Sequence, residues 1–397
     1  QNCDFALSGS HRGIATSPRA HCTPIDVSMV LGITSIRSSI GVSCRPQRCC
    51  RFSPCSAARS SPFRPAAGSP PGRGRSLNAA ATPGMTTQYG DALFGGEQQP
   101  PSDPWEDDVL PFTPLGAPRV SAASDQPPIV ILPGFGNNTA DYVAPFGEES
   151  RSISAALQAR GFRVYVVDVL RKDWIKVARA LMSRRYWTKS CTTDPGYTWY
   201  LDKVASTVEI ALKDSGALQV DLVGHSAGGW LARAFVGDAK YFVSSGGEAN
   251  PQVRRIVTLG APHSPPPDPS KDVTAGALAW IHQQYPHSWL RENGLRCTCV
   301  GGRAVRGNPE SEKGTLGRYA FGSYGMVCGD GNGTEGDCVV PLQATFIEGC
   351  EQQVLNGVFH SMSKIGTYSE PALRPWYGSE EVVDAWLPSL VASGIQE

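Results

Sequence analysis

The sequence predicts an α/β domain over residues 128–397, with a mostly parallel central sheet flanked by helices and lid-like insertions. Three observations predict it. Short runs of Val, Ile and Leu recur without polar alternation, as strands buried on both faces require. Segments with helical spacing lie between those runs and stop near glycine. Strands that alternate with helices favour parallel crossovers over hairpins.

The elements follow in order. Ile129-Val130-Ile131-Leu132 is a short apolar run ended by Pro133-Gly134. Ser152 to Arg160 reads as a helix that stops at Gly161, and Arg163 to Val169 as a strand. Tyr200 to Leu212 has helical spacing and ends near Gly216. Val220 to Val223 is a strand, followed by a small-residue turn and a helical pattern from Trp230 to Val236. Arg254 to Leu259 and Leu295 to Val300 are two further strands, and Ala344 to Ile347 is expected to be the last. Two stretches interrupt this alternation. Residues 171–199 hold Trp174, Tyr186, Trp187, Tyr197 and Trp199 among basic residues; residues 262–293 hold a Pro-rich turn, then Ala275 to Tyr285 and Trp289. Insertions of this length at strand ends are lids or binding loops, or else pack their aromatics onto the sheet's helices.

The chain before residue 128 differs in texture. Residues 1–85 are rich in Arg and Ser and contain only Asp4 and Asp26 as acids; the first lysine of the chain is Lys172. This is the composition of an organelle transit peptide, with a chloroplast the expected address and a mitochondrion the alternative. Residues 86–127 are rich in Pro, Gly, Asp and Gln and read as a linker or docked arm, with Trp105, Phe112 and Leu115 as anchors. No segment reaches the ~18 continuous apolar residues of a membrane span. The net charge is zero, so nothing in the charge balance points to nucleic acid as a partner.

Six of the twelve cysteines lie in the first 85 residues; the others are Cys191, Cys297, Cys299, Cys328, Cys338 and Cys350. Cys297-Thr298-Cys299 falls in a strand-like run whose side chains are expected to point to opposite faces, and the spacing does not match a zinc knuckle. No metal or cofactor is expected. Cys328 and Cys338 flank a Gly-rich loop and could form a disulfide, against a reading of all these residues as buried free thiols. The Asn137-Asn138-Thr139 and Asn332-Gly333-Thr334 sequons are read as chance matches.

The turn after Val223 carries the chemistry. Gly224-His225-Ser226-Ala227-Gly228 fits G-x-S-x-G between a strand and a helix, the setting of a nucleophile elbow. A serine hydroxyl is a weak nucleophile and needs an adjacent base. The partners of such a serine follow it in the order acid, then histidine. Of seven histidines, His11 and His21 are in the leader, His225 is inside the turn, and His263, His282 and His287 lie in an insertion; order selects His360. Asp337, directly before Cys338-Val339-Val340-Pro341, is the expected acid, with Asp330 as the alternative. The same loop could instead offer Asp330, Asn332, Thr334 and Asp337 to calcium, although it lacks the EF-hand spacing. The backbone amides of Ala227 and Phe135 are the expected oxyanion donors.

Five pieces together resemble an α/β-hydrolase of the lipase type: Leu132-Pro133-Gly134-Phe135-Gly136, Gly224 to Gly229, Leu259-Gly260-Ala261-Pro262-His263, Gly336 to Pro341, and Phe359-His360-Ser361. The set looks closest to plastid hydrolases of plants and algae that are similar to lipases and GPI inositol-deacylases. Such lipases often carry Gly-Asp-Gly-x-Val-Pro at the acid; here Cys338 replaces the second glycine, so Asp337 and Asp330 both stay open. The resemblance implies hydrolysis of a carboxylic ester, with an acyl lipid the favoured substrate and peripheral membrane contact an associated expectation. A thioester or a small or pigment ester is the alternative substrate, and a non-catalytic scaffold that binds lipid or protein is the rival from another class.

Overall fold

The computed structural model describes residues 108–391, apart from 115, 243–246, 364–371 and 373. The expected transit segment, and the anchors Trp105 and Leu115, lie outside the described residues. Six strands form one sheet: β1 (Ile129–Leu132), β2 (Val164–Val166), β3 (Val220–His225), β4 (Val253–Leu259), β5 (Arg296–Arg303) and, last in the chain, a strand at Glu351–Asn356. Their order is β2-β1-β3-β4-β5 and then Glu351–Asn356, with every pairing parallel. Between the last two come β6 (Val305–Arg306) and β7 (Glu335–Gly336), a small antiparallel ribbon, so the final strand is β8.

The unbroken apolar runs are explained by burial on both sides. In β1, Val130 and Leu132 join one core and Ile129 and Ile131 the other. Helices α1 (Ile153–Gln158), α2 (Thr198–Ser215), α3 (Ala227–Gly237), α4 (Ala277–Gln284), α5 (His287–Glu292), α6 (Leu316–Cys328) and α7 (Glu380–Trp386) surround the sheet and its ribbon. The core on one face takes Leu201, Val204 and Val208 from α2 and Leu231 and Phe235 from α3; the other takes Ile153 and Leu157 from α1 and Val382, Val383 and Trp386 from α7. The expected start of α1 is visible in its cap: the Ser152 hydroxyl accepts from the Ala155 amide at 2.9 Å.

The last strand corrects the sequence reading. Leu342–Ala344 is a helical turn, and Ala344 and Ile347 are buried without belonging to a strand. The true strand, β8, begins Glu351-Gln352-Gln353, largely exposed, because it lies at the edge of the sheet. An edge strand with wet side chains carries no apolar run, so the pattern that identified its neighbours passes over it. The β2 ladder is also shorter than Arg163–Val169; Val167 and Val169 are core residues beyond its end.

The arm is docked from residue 108 onward. The Leu110 amide donates to the Ala304 carbonyl, and the Val120 amide to Asp384 Oδ1 at 2.9 Å. Phe112 packs against the second core, close to Gly357, where φ is +69° and a Cβ would collide with the Phe112 backbone. Buried Arg160, at the end of α1, forks onto Asp384 (2.6 and 2.7 Å) and Glu380 (2.9 Å), locking α7 to the domain. Among the described residues no helix is long and apolar enough to cross a membrane.

Candidate active site

Ser226 stands between β3 and α3 with φ 53° and ψ −127°, a backbone state that a serine adopts only under strain. The glycines around it make the turn possible. A Cβ on Gly224 would lie 2.5 Å from the Gly229 Cα, one on Gly228 would strike the Leu132 carbonyl, and one on Gly229 would strike Ala261. The sheet and helix can therefore approach only through hydrogen atoms at these positions. Ala227 is the first residue of α3, so its amide is among those that lack an intrahelical acceptor.

The loop after β1 presses against the same serine. A Cβ on Gly134 would fall 2.7 Å from Ser226 Cβ and 3.3 Å from its Oγ. The loop is pinned from behind by Tyr142, which is buried. The Tyr142 hydroxyl accepts from the Gly134 amide (2.9 Å) and from Asn137 Nδ2 (2.7 Å), and it lies 2.7 Å from His225 Nδ1. His225 Nε2 lies 2.9 Å from the carbonyl oxygen of His360, which can only accept. His225 is therefore protonated on Nε2, and its Nδ1 accepts from Tyr142. Burial, with His360 alongside, pushes its pKa well below the ordinary histidine value and keeps the ring neutral.

His360 sits beside the elbow, its ring 4.6 Å from that of His225. Its Nδ1 is 2.7 Å from Asp337 Oδ2, and its amide donates to the Asp337 carbonyl at 2.8 Å. The buried carboxylate is fully engaged. Oδ1 accepts from the amides of Val339 (3.0 Å) and Val340 (2.7 Å), and Oδ2 also accepts from the Tyr377 hydroxyl (2.9 Å). Tyr377 in turn accepts from the Gly302 amide at 2.7 Å. With Nδ1–H committed to the carboxylate, Nε2 of His360 carries the lone pair.

The structure thus brings Asp337, not Asp330, to His360. Asp330 is exposed and organises its own turn, accepting from the Asn332 amide at 2.9 Å. The proposed calcium ligands are not convergent, since the Asp337 carboxylate faces inward. The cysteine that departs from the family pattern has a visible consequence: Cys338 holds φ 84°, a left-handed conformation for which glycine is the usual residue. Cys328 and Cys338 are not joined; all six described cysteines are free.

The expectation for Cys297-Thr298-Cys299 is corrected as well. Residues two apart on a strand share a face, and the Cys297 and Cys299 thiols lie with Cys350 within 4.8 Å of one another in the core. Such a trio could hold a thiophilic metal, but a cation already stands against it. Arg233 of α3 is fully buried, donates to the Tyr285 carbonyl at 2.6 Å and approaches His263, and leaves its Nε unsatisfied. The three thiols are the groups that favour its charge, while burial opposes it. Hydrogen bonds from Cys297 and Cys350 hold the Cys299 thiol well below its usual pKa.

The strand order, the elbow after the third strand, and the acid and histidine on later loops make one assignment. The chain has the α/β-hydrolase fold. The model of the alpha/beta hydrolase family matches residues 129–322, which span β1 to α6. Solved structures of a lipase and a carboxyl esterase resemble it at low identity. A lipase from Bacillus licheniformis is 12% identical, covering 70% of this chain and 97% of its own, with a TM-score of 0.39. A metagenomic carboxyl esterase is 13% identical over 72% of this chain and 83% of its own, with a TM-score of 0.42. No curated protein matches the sequence. Within the α/β-hydrolase frame, sequence reasoning missed Tyr142, Tyr377 and the structural part of His225. Tyr377 carries no local signal because its partners Asp337 and Gly302 lie far along the chain, and Tyr142 none that separates it from an ordinary core tyrosine, because its link to His225 spans 83 residues.

Proposed function

We propose that the chain is a serine hydrolase of carboxylic esters, with acyl lipids as the favoured substrate class. His360 Nε2 takes the Ser226 proton, and Ser226 Oγ attacks the ester carbonyl. The oxyanion is held by the amides of Ala227 and Phe135. Collapse expels the alcohol, protonated by His360, and water then hydrolyses the acyl-enzyme by the same route. Asp337 fixes the tautomer and stabilises the imidazolium without gaining the proton. No cofactor is needed for this sequence of steps.

The observation that carries the reading is the 2.7 Å contact of His360 Nδ1 with a buried, fully hydrogen-bonded Asp337, set beside a strained serine elbow. A scaffold that merely binds lipid has no use for that strain. Acyl lipids are favoured by the aromatic insertion beside the elbow, where Phe135 packs on Trp174 at 4.9 Å. The resemblance to inositol-deacylases and the plastid address expected of residues 1–85 support the same class. A thioester would fit the same machinery. A fluorophosphonate probe should label the wild-type chain and leave Ser226→Ala unlabelled. Folded wild-type protein that takes no label, or a Ser226→Ala variant labelled equally, would overturn the proposal.

A further inference from the structure

The insertion between β2 and α2 has a chemistry unlike the rest of the chain. The whole sequence balances 36 basic against 36 acidic residues. Residues 171–189 hold seven basic residues and one acid, a net charge of +6. The acid, Asp173, is turned inward, where it accepts from the Leu170 amide and from Lys176. Arg171 pairs with Asp141 at 2.6 Å. Lys172, Arg179, Arg184 and Arg185 are exposed, and no acidic group of the described residues pairs with them.

Bulky apolar side chains stand among these cations. Met182 is 86% exposed, Trp187 68% and Ile175 60%, with Leu170 and Leu181 nearby in the chain and also exposed. The apolar surface favours a cover, and the exposed cations favour a cover that is anionic. Trp187 is held outward, its ring nitrogen bound to the Leu181 carbonyl at 3.0 Å.

The insertion is nevertheless firmly seated. Buried Trp174 donates to the Asn137 carbonyl at 2.9 Å and packs on Phe135 (4.9 Å), Trp199 (5.3 Å) and Tyr200 (5.3 Å). The inner side of the segment thus rests on the loop that reaches Ser226, while its outer side displays cations and apolar tips.

We propose that residues 170–187 form a docking surface for an anionic lipid bilayer, with Ile175, Met182 and Trp187 entering the headgroup layer and Lys172, Arg179, Arg184 and Arg185 facing lipid phosphates. Charge complementarity selects this occupant. An apolar protein partner has no need of the four exposed cations, and a soluble polyanion has no need of the apolar tips. Interfacial segments combine both features, and each cation near an anionic surface adds a roughly equal increment of binding. The proposal deepens the hydrolase reading by naming where the substrate is met, but binding itself does not require turnover.

The test is co-sedimentation of the Ser226→Ala chain with vesicles of phosphatidylcholine, alone or with about 30 mol% phosphatidylglycerol, a composition that gives a strong negative surface potential. Binding is expected to anionic vesicles, weakly to neutral ones, and to fall with added salt. Arg184→Ala with Arg185→Ala should weaken anionic-vesicle binding about thirtyfold, from an increment of about fivefold per cation. Trp187→Ser should weaken it further while leaving hydrolysis of a short soluble ester by the otherwise wild-type enzyme unchanged. Equal binding to both vesicle types, indifference to these substitutions, or capture of single-stranded RNA in place of vesicles would overturn the proposal. Binding of Ser226→Ala to anionic vesicles, with a folded wild-type chain that takes no fluorophosphonate, would sink the hydrolase reading alone.

Discussion

Removing one hydroxyl, in Tyr142→Phe, should damage the site without touching Ser226, Asp337 or His360. The Tyr142 hydroxyl satisfies the Gly134 amide, Asn137 Nδ2 and His225 Nδ1, all in buried surroundings. Each orphaned buried group costs about 1–3 kcal/mol, less whatever the neighbours recover by shifting. With partial relaxation the loss of stability is about 3 kcal/mol, which for a domain of this size lowers Tm by roughly 6–12 °C. The kinetic effect follows from where the first of those groups sits. Gly134 touches Ser226, and the next amide, that of Phe135, is the one assigned to the oxyanion. A loop released from Tyr142 loses that donor's alignment, so kcat should fall by about 10- to 1000-fold, toward the cost of deleting an oxyanion donor. Because the interaction forms only in the transition state, KM should move little. Thermal denaturation together with kcat and KM on a short p-nitrophenyl ester measures both effects. A Tyr142→Phe enzyme with unchanged Tm and kcat within twofold of wild type would refute the reasoning.

Three further outcomes follow from the same geometry. Asp337→Asn should lower kcat by about 10⁴-fold through loss of the required tautomer, whereas Asp330→Asn should stay within about twofold; the reverse order in the same ester assay would exchange their roles. Burial depresses the pKa of both His225 and His263, so each contributes stability that is complete above the unfolded value near 6.5 and is lost as pH falls below it. Urea midpoints should therefore decline between roughly pH 6 and 4, by at most about 1.4 kcal/mol per pH unit for each ring, before most carboxylates titrate; a flat profile over that window contradicts the buried neutral rings. Replacing Cys297, Cys299 and Cys350 together by Ala should lower the urea midpoint, because the buried Arg233 loses the three groups that favour its charge; a midpoint equal to that of the wild type would show that the trio does not support Arg233.

Much of the frame was legible because parallel strands buried on two faces leave unbroken apolar runs. β1, β3, β4 and β5 were found this way. β8 was not, because Glu351, Gln352 and Gln353 lie on an edge and water replaces one layer of packing. Ser226 was legible because its turn demands glycine at fixed offsets, and His360 because chain order left no rival. Asp337 was preferred to Asp330 in the sequence but not separated from it, since both lie in one Gly-rich loop; the fold turns Asp337 inward, where it accepts from the Val339 and Val340 amides. The cysteine cluster was illegible for a different reason. Cys350 comes from β8's approach, the strand that the pattern missed, and Arg233 reads as an ordinary polar position on α3 until burial is known.

The missed tyrosines explain how three loops hold one geometry. Starting at the first loop, hydrogen bonds run from Gly134 and Asn137 to Tyr142, on to His225, and from its Nε2 to the His360 carbonyl. From the His360 ring they continue to Asp337, Tyr377 and the Gly302 amide on β5. The ends of this chain are the Gly134 amide in the loop after β1 and the Gly302 amide on β5, and a backbone amide can only donate. Each fixed donor dictates the direction of the next bond, so Tyr142 must donate to His225 and His225 must donate from Nε2. At the other end, Tyr377 must donate to Asp337, leaving the carboxylate as an acceptor for His360 Nδ1–H. The tautomer that gives His360 a free lone pair is therefore imposed by the β5 backbone at one remove, and the loop proposed to supply the oxyanion donor is tied to the same network. Gly260 and Gly302 supply the room, because a Cβ at either would collide with Asp337 or Tyr377. A residue that supplies no chemistry, such as Tyr142, can consequently disturb the base and the oxyanion donor together, and effects of paired substitutions along this chain should be less than additive.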